Sequence, residues 1–176
     1  MASSDPDSRL LLLMRHGKAV SSADNGIDKD RELAEKGRVQ ARLIGEYLES
    51  QGVRPTRVLV SDAARTRETW EALHAAMPGF DGKVTFHDEI YSQGAPEVLD
   101  LIRGRKDKHH VVMVIGHEPT IGMLADFFAG EDSDPASAAQ ARIGLSTGSM
   151  AVLSAPAEHW DDLGEDSMTL HTIVRA

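Results

Sequence analysis

The chain has 176 residues, 41% hydrophobic and 27% charged, the balance of a water-soluble globular domain long enough to bury one substantial core. A net charge of −9 sets most faces against a nucleic-acid backbone or an anionic membrane, so an anionic substrate requires a local basic pocket. The lack of cysteine removes disulfides, thiolate nucleophiles and sulfur-ligated metals together.

Residues 1–9 are polar and acidic and read as a flexible tail before a single domain spanning 10–176. They do not resemble an export leader, and no stretch approaches a membrane span, so a cytoplasmic location is expected. Leu10-Leu11-Leu12-Leu13-Met14 is an apolar run of strand length that stops at Arg15-His16-Gly17, the pattern of a buried strand delivering polar groups to a sheet edge. A polar loop over Lys18–Arg31 follows. Val39, Leu43, Ile44, Tyr47 and Leu48 then mark one face of a helix that Gly52 stops. Arg57–Val60 reads as a second strand, and Ala64, Trp70, Leu73 and Met77 as a second helix halted by Pro78-Gly79. A strand over Lys83–Phe86, a helix over Pro96–Ile102, the wholly apolar strand Val111–Ile115 and a helix over Thr120–Phe128 come next. Glu131–Ala139, acidic and rich in small residues, is expected to be a flexible excursion. Ser149–Leu153 and Met168–Val174 read as two final strands joined around Trp160 and Gly164. Strands alternating with helices imply an α/β domain, a three-layer α/β/α sandwich around a mostly parallel sheet.

Three of these strands end near polar residues: Arg15-His16-Gly17, Arg65 just beyond the second, and Gly116-His117. In a parallel sheet such ends share one edge, so two arginines and two histidines can converge there. That grouping suits a phosphoryl group: two cations offset a dianion, one neutral imidazole can attack phosphorus, and the other can donate to an oxygen of the transition state. The competing reading is a set of strand ends in solvated turns. His109-His110, beside Lys106-Asp107-Lys108, read as a solvated turn, since no carboxylate–histidine spacing there supports a metal. Trp160 reads as a packing residue, and Arg31 as a loop anchor paired with Asp28.

These residues resemble the histidine phosphatase superfamily, most closely its SixA-type branch of phosphohistidine phosphatases. The resemblance is carried by Arg15-His16-Gly17-Lys18-Ala19, by the run from Asp28 through Arg31 and Leu33 to Gly37, by Ser61–Thr69 with Arg65, by Gly116-His117-Glu118-Pro119, and by Thr147–Leu153. Ala34 departs from the family's usual Thr, and Asp62 from its usual Pro. The resemblance implies a phosphoglycerate mutase-like fold and a nucleophile, His16, that becomes transiently phosphorylated. Arg15, Gly17, Arg65 and His117 would complete the phosphate pocket, with no metal or organic cofactor required.

In the mutase-like branch an acid after the third strand protonates the leaving oxygen, and Glu89, next to Asp88, is the candidate here; the competing reading is a solvated loop acid. A poorly placed acid favours phosphohistidine, because an imidazole already protonated on its other nitrogen leaves neutral, whereas an alkoxide needs a proton. The expected substrate is therefore a phosphorylated protein, such as a phosphotransfer domain, with small phosphate monoesters as the alternative. A phosphoprotein-binding module without turnover is the non-enzymatic alternative, disfavoured by the retention of both His16 and His117.

Overall fold

A computed structural model describes residues 8–176. Six strands, β1 (Ser8–Arg15), β2 (Arg57–Ser61), β3 (Lys83–His87), β4 (Val111–Gly116), β5 (Met150–Pro156) and β6 (Thr169–Val174), form one sheet in the order β3-β2-β4-β1-β5-β6. β1 to β4 are mutually parallel, while β5 runs antiparallel to both β1 and β6. Helices α1 (Glu35–Gln51) and α2 (Ala64–Ala75) cover one face. The other is covered by α3 (Asp88–Ser92), α4 (Ala95–Arg103), α5 (Thr120–Phe128) and α6 (Pro135–Ile143).

The alternation of side chains along the central strands builds two cores. Leu11 and Leu13 of β1 pack with Val98, Ile102, Ile121 and Phe128 of the second helical layer. Leu12 and Met14 pack with Ile44, Leu48, Trp70 and Leu73 of α1 and α2. The run of consecutive leucines is the signature of a strand covered on both sides, and Leu11 to Met14 are fully buried or nearly so.

Three details differ from the sequence reading. β1 begins at Ser8, and Arg9, assigned to the tail, is buried with its guanidinium 3.1 Å from His110 Nδ1; residues 1–7 lie outside the described residues. The inner face of α1 is only partly the one its large aliphatics suggest: Ile44 and Leu48 are buried as expected and Tyr47 packs against the core, but Val39 and Leu43 are exposed, and Gly37, Gln40, Ala41 and Gly45 complete the buried side. Small residues let this helix approach its neighbours closely, a Cβ on Gly45 meeting Leu73 O of α2. The stretch expected to be a flexible excursion contains the start of α6. Asp134 caps it, its carboxylate accepting from Ser137 N at 2.9 Å, and Pro135 fills the first turn, where a missing N–H costs nothing. Trp160, expected to pack, is fully buried and donates Nε1–H to His109 O at 2.6 Å.

Candidate active site

The carboxyl ends of β1, β4 and β2 lie side by side, with Arg15 opposite Gly116 and Val60 opposite Ile115. The next residue of β1's chain, His16, donates its backbone N–H to Gly116 O at 3.0 Å and accepts from Gly148 N at 2.8 Å. Both edges of the nucleophile candidate's backbone are thus pinned. Its imidazole is buried, Nδ1 lying 2.6 Å from the Gly17 carbonyl. A carbonyl only accepts, so Nδ1 carries the hydrogen and Nε2 of the neutral ring keeps its lone pair.

Gly17 N donates to Thr69 Oγ1 at 3.1 Å, and Lys18 N to Gln40 Oε1 at 2.8 Å, tying the loop to α2 and α1. Gly17 also rests on Gly37: a Cβ on Gly17 would stand 2.6 Å from Gly37 O, and one on Gly37 would collide with Lys18 O. Gln40, polar yet buried, faces the sheet because Lys18 N needs its acceptor.

Arg15, Arg65 and His117 gather around His16. The His16 and His117 ring centroids are 5.3 Å apart. Arg15 donates Nη1–H to Leu145 O at 2.9 Å, and buried Arg65 donates to Asp28 O at 3.0 Å and to the Asp28 carboxylate at 3.2 Å. His117 Nε2 is 2.7 Å from Ser61 Oγ. Arg15 Nε, Arg65 Nε and His117 Nδ1 are buried without a hydrogen-bond partner among the described residues. Such clustering is unusual, since buried polar groups are nearly always satisfied.

Burial is the main cause that pushes His16 down to about 4, with the positive charges of Arg65, Arg15 and Arg31 adding to it against the Gly17 hydrogen bond. Desolvation thus leads the depression, ahead of the adjacent charges. Burial, then Arg65 and His16, push His117 to about 3. Both rings are therefore neutral at physiological pH.

Glu89 is not brought to this cluster. It lies in α3 with its side chain half exposed, its carboxylate 3.9 Å from His87 Nδ1. Two residues along a helix is a turn of about 200°, so the same helix that carries Glu89 away carries Tyr91 toward the site. The Tyr91 ring lies 5.7 Å from that of His117, and its hydroxyl donates to the Asp28 carboxylate at 2.9 Å. Asp88 pairs with Lys29 at 2.8 Å.

Asp28, Tyr91, Ser61 and Glu118 are site residues that the sequence reading left out. Asp28 enters the sequence reading as partner of Arg31 and as the first residue of a family segment; that ion pair is present at 2.9 Å, and the same carboxylate also holds Arg65 and Tyr91. Donation from Tyr91, then from Arg31 and Arg65, drops Asp28 to about 2 despite some burial. Glu118 is pushed up by burial but accepts backbone N–H bonds from Gly122, at 2.8 Å, and from Leu145. Among the described residues no group of three or more His, Asp or Glu is arranged to hold a metal ion, and no helix is long and apolar enough to cross a membrane.

Comparison with known proteins places this arrangement. The profile described as "Histidine phosphatase superfamily (branch 1)" matches residues 11–91. The structure of SixA from Nakamurella multipartitia superposes with a TM-score of 0.81 over 95% of both chains, at 30% identity. The chain belongs to the histidine phosphatase superfamily, in its SixA-type branch. It is a phosphatase, a hydrolase of phosphorylated substrates. As in other members of that superfamily, the sheet is mostly parallel and sandwiched between helical layers. Within the SixA branch the chain also resembles a protein histidine phosphatase SixA complexed with tungstate, with a TM-score of 0.75 at 21% identity over 94% of this chain and 96% of that one. A SixA-sized relative, Rv1276c of Mycobacterium tuberculosis, is 34% identical over 152 residues, 85% of this chain and 91% of its own.

Proposed function

We propose that this phosphatase hydrolyses phosphohistidine on a protein, with His16 as the nucleophile. One observation carries the reading: a neutral imidazole with a free Nε2 sits among three buried donors that lack acceptors, Arg15 Nε, Arg65 Nε and His117 Nδ1. A phosphoryl group supplies acceptor oxygens for all three and an electrophile for the fourth. A relative of the same fold, a protein histidine phosphatase SixA, forms a complex with tungstate, an oxyanion of phosphate-like shape.

In the first half of the reaction the Nε2 lone pair forms a bond to phosphorus while the substrate's P–N bond breaks, its electron pair leaving with the substrate imidazole. Arg15 and Arg65 hold the equatorial oxygens. Ser61 Oγ is 2.7 Å from His117 Nε2; in the tautomer this step requires, the hydroxyl donates to Nε2 and Nδ1–H donates to the phosphoryl oxygen as negative charge gathers there. In the second half a water oxygen attacks the same phosphorus, the His16 N–P bond breaks, and inorganic phosphate leaves with His16 restored.

The preference for phosphohistidine over an ester rests on the carboxylates. Asp28 is ionised at any working pH, and Glu118 spends its carboxylate accepting from two backbone amides. Asp28 therefore has no proton to give, Glu118 is turned onto backbone amides, and Glu89 points elsewhere. An imidazole leaves without that proton; an alkoxide does not.

The test is phosphate release by wild type and His16→Ala from a phosphohistidine-bearing phosphotransfer domain and from an aryl phosphate, side by side. Release from the phosphoprotein that His16→Ala lowers by at least about a thousandfold, with the fold intact by circular dichroism, is expected. Release from the aryl phosphate alone would move the substrate to small esters, and binding of the phosphoprotein without turnover would make the chain a reader of phosphohistidine.

A further inference from the structure

At the opposite edge of the sheet, where β2, β3 and β4 begin, lies an open cleft of about 850 Å³. That is ample for a small molecule. From Arg57 at its wall to Ser61 at the active site is one strand length, about 13 Å. Of its ten lining residues, six are basic or imidazole: Arg57, Lys83, Arg105, Lys106, Lys108 and His109. Asp81 is the one acid among them. In a chain of net charge −9 this is a concentrated reversal of sign.

None of the five Lys and Arg side chains forms an ion pair among the described residues. Nearby Asp107, the obvious local counter-charge, is turned away, bonded to His159 at 2.7 Å and to Trp160 N at 3.1 Å. Arg57 is held by a single bond from Nη2 to Thr85 Oγ1 at 3.1 Å, and its Nε is buried without a partner. Arg105 donates Nε–H to Leu101 O at 2.8 Å, which fixes its guanidinium beside the cleft. His109 Nδ1 lies 3.1 Å from Thr56 Oγ1.

We propose that this cleft is a second anion site, separate from the His16 pocket, that binds a small polyanion carrying at least two phosphoryl groups. A single monoanion leaves most of the positive charge uncompensated. Guanidinium forks and lysines together match phosphoryl oxygens spread over several ångströms. The lining contains no apolar side chain, so an acidic peptide gains none of the burial that usually anchors one. Burial and the neighbouring Arg57 push the Arg105 guanidinium down, and burial followed by Lys108, Arg57, Arg105 and Lys106 pushes His109 down. A bound polyanion reverses the charge contribution, so His109 reports on occupancy.

The experiment is a calorimetric titration of the full chain with inorganic tripolyphosphate, with the histidine imidazole signals followed by NMR. The expected result is binding that moves the His109 signal and raises its titration midpoint. Affinity should fall about tenfold or more in Arg105→Gln/Lys106→Gln and in the fully surface-borne pair Lys83→Gln/Lys108→Gln, with phosphatase turnover unchanged. The second pair keeps the test valid if the first unfolds. Movement of the His16 and His117 signals alone, or wild-type affinity in both double variants, would overturn the proposal. So would hexaglutamate or a short single-stranded DNA binding more tightly than tripolyphosphate, each pointing to a macromolecular ligand instead.

Discussion

Asp28 occupies Arg65. Its carboxylate and its backbone carbonyl both accept from the guanidinium that the site offers to a phosphoryl group, at 3.2 and 3.0 Å. Part of Arg65 is therefore already neutralised, and an incoming phosphate competes with a resident anion. Asp28→Asn keeps acceptors for Tyr91 and Arg65 but removes the charge. Inorganic phosphate should then inhibit about three- to tenfold more tightly, read as a lower inhibition constant. Weaker inhibition would mean that Asp28 positions Arg65 rather than competing for it.

Ser61 is the buried partner of His117 Nε2. In Ser61→Ala the imidazole is free to place its proton on either nitrogen, so kcat should fall about tenfold while KM changes less than about twofold. Nitrogen chemical shifts of His117 should report a mixture of tautomers in place of one. An unchanged tautomer with reduced kcat would assign the loss to packing.

Glu89→Gln should change turnover less than about twofold, on a phosphoprotein and on an aryl phosphate alike, because the carboxylate stands at His87 rather than at His16. A loss beyond about a hundredfold confined to the aryl phosphate would restore Glu89 as a general acid.

The buried histidines couple stability to pH. His16 and His117 sit at about 4 and about 3 when folded, against 6.5 when unfolded. Between these values the unfolded chain binds more protons, so stability is fully present above pH 6.5 and is lost as pH falls toward 4. From pH 7 to pH 5 the loss should be about 2 kcal/mol from each ring. Denaturant unfolding at the two pH values measures it, and His16→Gln should remove about half of the difference. An equal loss in the variant would mean that these rings are not what titrates.

The strand ends carrying Arg15, His16 and His117 were legible because buried strands announce themselves by composition, and a polar break in an apolar run is hard to mistake. Arg65 is legible as a residue just beyond the second strand, but nothing in its helix marks it as facing inward, and the family pattern singles it out. The contact of Asp28 with Tyr91 is not legible, because the two meet across 63 residues through loop geometry that no local period encodes. Glu89 is the acid that position after a strand points to, but the short helix α3, which no signal in five residues marks, rotates it away from the site. The inner face of α1 is legible at Ile44 and Leu48 but not at its small residues: hydrophobicity marks bulk, while close approach is made by Gly37, Gly45 and Ala41.

The backbone-on-backbone seating of Gly17 against Gly37 has a further effect. A methyl at either position has no rotamer through which to escape, so it must separate the loop from α1, and Gly17 is also the residue whose carbonyl aligns the His16 ring. The two glycines act as a fixed gauge, twenty positions apart in the chain, that sets the pitch of the imidazole. Between them the stretch from Ser21 to Gly26 is largely exposed, and Asn25 bonds within the loop, donating to Asp30 and accepting from Ile27 N. Its exposed face can vary while the glycine pair beneath it keeps the imidazole aligned.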